Sequence, residues 1–176
     1  PDKLKNELEN KSKHEIVNIL KVIVGESVAL FRHEYMSKLG ITCLTEVNDS
    51  LLMWSHYGGK YKGFCLEFDT QFDPFTKSRP VKYSDFMPKI ETLPFMVGEK
   101  DGQFMDLFCL KSKSWEYEKE WRVFHQQAGT MFHYLPEALT GIYFGPEMED
   151  ECFEIIALIL RGQNENVKLY RGKRSK

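Results

Sequence analysis

The sequence predicts an α+β domain: a mixed or antiparallel sheet flanked by helices, with a long helical segment at the N-terminus. Three observations carry that prediction. Apolar residues recur at threes and fours over residues 3–38. Residues 64–69 and 115–125 instead alternate with period two, as half-buried strands do. Strand-like stretches also follow one another closely enough to pair as hairpins, which favours a mixed or antiparallel sheet over a purely parallel one.

The N-terminal segment places Leu4, Leu8, Ile16, Ile19, Leu20, Ile23, Val24, Val28, Leu30 and Phe31 at helical spacing, with Gly25 a possible break and Gly40 a cap. Residues 41–45 then read as a short strand. Asn48, Asp49 and Ser50 are N-cap candidates for a helix that Gly58-Gly59 stops, so Trp54, Ser55, His56 and Tyr57 ride on it. Along residues 64–69, Phe64, Leu66 and Phe68 point one way and Cys65, Glu67 and Asp69 the other.

Residues 71–80 form a loop between Pro74 and Pro80, 81–84 a brief strand, and 87–100 an irregular excursion. Helical spacing returns over 102–112, and 115–125 alternates as a strand. A helical turn at 136–139 precedes a buried strand at 141–144. Gly145-Pro146 then opens a helix that has acids in its first turn, and 167–170 is a last strand.

The chain of 176 residues is long enough to bury a core, and it reads as a single domain over 1–176. A formal charge of −2 gives no field that would argue for nucleic acid or an anionic membrane. The basic tail with Lys168, Arg171, Lys173, Arg174 and Lys176 reads as solvated, with a nucleic-acid contact as the sharper alternative. No apolar run approaches the roughly 18 to 20 residues that span a bilayer. Cys43, Cys65, Cys109 and Cys152 are too far apart for a zinc or disulfide pattern and read as reduced thiols of a cytoplasmic protein.

Side chains able to do chemistry concentrate in residues 51–69, L-L-M-W-S-H-Y-G-G-K-Y-K-G-F-C-L-E-F-D. Ser55, His56 and Tyr57 present hydroxyls and an imidazole just before a glycine turn. A structural histidine is the bland alternative. Glu118 and Glu120, two apart on a strand, would share a face at roughly 6.5 to 7 Å, with Arg122 next in the row. Buried together, the two carboxylates would not ionise independently. A solvent-facing edge of alternating charge is the bland reading, against which stand the interleaved aromatics Trp115, Tyr117 and Trp121. Lys60, Lys62, Lys111, Lys113 and Arg122, with Tyr83, could ring a phosphate-bearing ligand.

The set W-S-H-Y, K-G-F-C-L-E-F-D, V-K-Y and W-E-Y-E-K-E-W-R resembles an uncharacterised family of bacterial and phage-associated proteins known only as a domain of unknown function, over roughly residues 40 to 160. The resemblance implies a further strand-bearing segment before Pro1. Glu-x-Glu also resembles the closing motif of ADP-ribosyltransferases. By that resemblance Glu120 is the catalytic acid, Glu118 the accessory one and NAD the substrate, while the His or Arg that such enzymes carry on an early strand would come from the preceding segment.

Two function classes follow, both with a nucleotide or nucleic acid as partner and no membrane. The first is an NAD- or nucleotide-utilising effector of the toxin or anti-phage type, with Glu120, Glu118, His56 and Tyr57 catalytic and Ser55, Lys62, Tyr83, Lys113 and Arg122 binding. The alternative is a metal-dependent nuclease or nucleic-acid-binding effector in which Glu67, Asp69, Glu118 and Glu120 hold Mg²⁺. A non-catalytic interaction module is the third possibility.

Overall fold

The computed structural model describes residues 11–31, 33, 34, 37–86 and 105–173. They fall in two compact units, one of Pro1–Gly40 with His125–Thr130, the other of Ile41–Phe124 with Met131–Lys176. The architecture is α+β, as the sequence predicts.

The first unit holds helix α1 (Lys13–Phe31). Ser12 and Glu15 form a capping box: the Glu15 carboxylate accepts from the Ser12 amide at 2.8 Å, and the Glu15 amide donates to the Ser12 hydroxyl at 3.4 Å. Gly25 does not break the helix, against expectation, because a glycine inside an otherwise good helical run only weakens it. Gly40 is likewise not a helix cap but the first residue of strand β1 (Gly40–Thr45). The expected helical turns over 3–10 lie outside the described residues.

The second unit contains the sheets, with β1 entering it from Ile41 and β6 leaving it after Phe124. Its other elements are α2 (Leu51–His56), β2 (Phe64–Phe68), β3 (Arg79–Pro80), β4 (Lys82–Ser84), β5 (Leu110–Ser112), β7 (Leu139–Phe144), α3 (Asp150–Gln163) and β8 (Lys168–Arg171), and β6 spans Glu120–His125. Among the described residues the strands run in the orders β1-β6-β3, β2-β7-β8 and β4-β5. β2 is antiparallel to β7 and β3 to β6, whereas β8 is parallel to β7 and β5 to β4.

The main core lies under the second sheet. Leu139, Ile142, Phe144 and Met148 are buried, and Phe68 joins Phe153, Ile156 and Leu160 of α3 against them. Val123 of β6 and Val81 are buried elsewhere in the unit, at 2% and 7% exposure. The expected inward face of β2 needs correcting. Phe64 and Leu66 are 49% and 38% exposed although they pair with the buried Phe144 and Ile142, because β2 is the sheet's edge strand. A bulge between Glu67 and Phe68 then resets the alternation so that Phe68 reaches the core. Ile159 of α3 is 53% exposed.

Three further boundaries differ from the sequence reading. Leu110–Ser112 is a strand, not the end of a helix, because it pairs in parallel with Lys82–Ser84. The expected strand over 115–125 begins only at Glu120, since Lys113–Glu118 forms a 3₁₀ helix. Pro146 sits in a turn, and the last helix starts at Asp150. The excursion at 87–100 lies outside the described residues. No helix among the described residues is long and apolar enough to cross a membrane.

Candidate functional site

The 3₁₀ helix ends on a single left-handed residue, Lys119, at φ 43° and ψ 54°. That kink sets the site. It does by a reversal of the backbone what a straight strand would do by alternation, bringing the side chains of Glu118 and Glu120 to one cation. β1 braces it: the Thr45 hydroxyl donates to the Glu118 carbonyl at 2.6 Å, and the Glu46 amide to the Lys119 carbonyl at 3.3 Å.

Both acids are buried, Glu118 at 2% and Glu120 at 5% exposure, so their charges must be met by partners within the fold. The Lys111 ammonium, from β5, donates to both carboxylates, at 2.9 Å in the case of Glu120. Arg122 grips Glu120 with two bonds, from Nε at 2.7 Å and from Nη2 at 3.1 Å. The Cys43 thiol also bonds Glu120, and the Tyr57 hydroxyl donates to Glu118 at 2.9 Å. Tyr83 serves the backbone instead, its hydroxyl accepting from the Glu120 amide at 2.8 Å.

These contacts give the two acids unequal freedom. Glu120 accepts four hydrogen bonds, which fills a carboxylate's roughly four lone-pair sites. Burial opposes its charge, yet the bonds from Arg122, Cys43 and Lys111 prevail and hold the carboxyl down to about 2. Burial and the bond to Glu120 push the Cys43 thiol up to about 11, so it stays protonated and donates. Burial works against the Lys111 charge as well, and the bonds to Glu118 and Glu120 nonetheless raise it. Among the described residues Glu118 accepts only from Tyr57 and Lys111, which leaves acceptor capacity open.

The network lies along a cleft of about 1150 Å³. Thr42, Cys43, Leu44 and Thr45 of β1 and Cys65, Leu66, Glu67 and Phe68 of β2 line it. Lys111, Glu118, Glu120, Arg122 and Tyr57 are also in the lining. Such a volume is at or above the usual size of a small-molecule site, and convergent polar groups among apolar walls are its usual make-up.

Of the residues singled out from the sequence, the fold brings Tyr57, Glu118, Glu120, Arg122 and Tyr83 into one network. His56 lies beside it: its ring is 6.2 Å from that of Trp115 and 6.1 Å from that of Tyr57. Trp115 in turn carries the Lys111 ammonium over its face at 5.1 Å. Ser55 turns its hydroxyl back to the Leu52 carbonyl, and Ser55, Lys62 and Lys113 are exposed and do not line the cleft.

Sequence reasoning named Lys111 only as one base among several and missed Cys43 and Thr45. The misread helix over 102–112 hid Lys111, and β1 carries no motif that would have announced the other two.

A second polar group lines the same cleft. Glu67 accepts from Thr140 at 3.1 Å and from the Tyr143 hydroxyl, which that bond, reinforced by burial, keeps protonated, its pKa pushed up to about 12. The Tyr143 ring stacks on Tyr170 at 4.6 Å.

Residues 53–123 match a family described as a protein of unknown function (DUF2971). The match takes in Met53–His56 of α2 and the glycine turn before β2, all of β2, the 3₁₀ helix and Glu118 to Arg122. No curated protein and no solved structure matches the chain.

Proposed function

We propose that the cleft is the site of an NAD-utilising transferase of the ADP-ribosyl type, in which Glu118 faces the reacting sugar and Glu120 positions it. The observation that carries this reading is the unequal loading of the two buried acids. Glu120 is saturated by Arg122, Lys111 and Cys43, whereas Glu118 keeps open lone pairs beside the Tyr57 hydroxyl. The Glu-x-Glu resemblance would make Glu120 the catalytic acid, and the hydrogen bonding favours exchanging the two roles.

In the reaction the bond from ribose C1′ to the nicotinamide nitrogen breaks and nicotinamide leaves with the electron pair. The acceptor's nucleophile then bonds to C1′ and loses its proton. Positive charge develops on the sugar, and a preorganised carboxylate in a low-dielectric site stabilises it. The lining's charges support this: Glu46, Glu67, Glu118 and Glu120 outnumber Lys111 and Arg122, which suits a cationic nicotinamide-ribosyl group better than a bare phosphate. The pyrophosphate would then lie toward the mouth of the cleft.

The metal-dependent alternative finds less support, since among the described residues no group of three or more His, Cys, Asp and Glu is arranged to hold an ion.

The test is to incubate the natural full-length protein with labelled NAD and cell lysate, following nicotinamide release and label transfer. Glu118→Gln should lower turnover by about 10²-fold or more with KM little changed. Glu120→Gln should lower turnover together with stability. Wild-type protein that neither releases nicotinamide nor transfers label removes this reading and leaves the cleft as an interaction site.

A further inference from the structure

We propose that Glu67, held by Thr140 and Tyr143 on the cleft wall, is a recognition site for a guanidinium group. This does not rest on the transferase reading. Among the described residues Glu67 has no cation paired with it, unlike the Glu118 and Glu120 carboxylates that line the same cleft. The proposal stands on three further features.

Its carboxylate is oriented before any ligand arrives. Oε1 accepts from the Thr140 hydroxyl and Oε2 from the Tyr143 hydroxyl, so each oxygen keeps a lone pair and the two act side by side. Tyr143 is itself fixed by its stack on Tyr170.

The backbone opposite makes room for that pose. Glu67 pairs with Gly141, where a β-carbon would meet Glu67 Oε2 at 3.2 Å and the Tyr170 ring at 3.4 Å. The carboxylate therefore lies over a position that any side chain would crowd.

The neighbouring surface is apolar. Leu66, Phe68 and Phe75 line the same cleft, and the Phe68 and Phe75 rings stack at 4.3 Å. A planar fork of donors that is always charged matches a bidentate carboxylate acceptor, and the methylene stem carrying it packs on apolar walls. A neutral diol could make two hydrogen bonds to the same oxygens, but it brings no positive charge to meet the carboxylate, and the cleft's excess of carboxylates favours a cation.

The probes are agmatine, the tripeptide Gly-Arg-Gly, and Gly-citrulline-Gly as the neutral isostere, each titrated into the natural protein and followed by NMR shifts or calorimetry. Both guanidinium probes should bind saturably and the citrulline peptide should not. Glu67→Gln should weaken the guanidinium probes by about tenfold to a hundredfold, the loss of one charge-assisted interaction. Thr140→Val keeps the charge and should weaken them less. If Gly-Arg-Gly binds more tightly than agmatine, the natural ligand is an arginine within a polypeptide, and otherwise it is a free small molecule. The proposal is overturned if Glu67→Gln leaves the affinities unchanged, if citrulline binds as well as arginine, or if neither guanidinium probe binds at millimolar concentration. NAD turnover is not read here, so this inference and the transferase reading fail separately.

Discussion

Glu120 is the residue whose surroundings most change its chemistry. An ordinary glutamic acid titrates near 4.5, and here the carboxyl is held at about 2. A depressed folded-state pKa contributes stability that is fully present above the unfolded value and lost as pH falls through the folded one. The window is therefore about pH 4.5 down to about 2, and the amount at stake is on the order of 3 kcal/mol. Urea titrations at pH 7, 4 and 3 should find wild type losing stability across that range, while Glu120→Gln, lower at pH 7, stays flatter. Equal slopes in the two proteins would show that other acids dominate the acid limb.

At the scale of elements, two backbone reversals matter more than any helix. One is the Lys119 kink; the other is the turn from Gly58 to Gly63, in which Gly59, Lys60 and Tyr61 all take positive φ. Two non-glycine residues in that region cost strain that the surrounding contacts must overcome. They do so through Gly145 and Glu147, whose amides donate to the Gly63 carbonyl at 2.9 Å and the Tyr61 carbonyl at 3.1 Å. A β-carbon at Gly145 would stand 2.0 Å from the Tyr61 carbonyl oxygen, which is backbone and cannot rotate away. Gly145→Ala should thus destabilise the second unit by about 2 kcal/mol or more. Gly25→Ala is the opposite case: nothing lies within 4 Å, the position is inside α1, and the change should add about 0.5 to 1 kcal/mol of helix stability. Thermal denaturation of the two variants checks the opposed signs.

Across the whole molecule, burial is uneven even between paired strands. Phe144 is fully buried whereas its partner across the ladder, Phe64, is 49% exposed. Phe144→Ala should cost about 3 to 5 kcal/mol and Phe64→Ala less than about 1. Denaturant titration of both variants separates them, and similar losses would mean that β2 is covered in solution.

Local periodicity and punctuation were enough to read the α+β class, the helix that Ser50 caps, and strands β2, β7 and β8, because each depends on residues close in sequence. The gathering of Trp54 to Tyr57, Glu118, Glu120 and Arg122 was legible as a concentration of chemistry. What holds them was not. Lys111 reaches both acids only because Leu110–Ser112 pairs with Lys82–Ser84, and that pairing overrides a helical spacing. Glu118 and Glu120 meet through a left-handed residue where alternation predicts a straight strand. Edge position, not side-chain pattern, exposes Phe64 and Leu66. Sequence alone thus determined the α+β class and those locally encoded elements, since short-range sterics and hydrophobic period govern both. Only the tertiary structure decided which acid is saturated, which lysine serves it and which strand face meets solvent, because those depend on long-range pairing energies that no local pattern encodes.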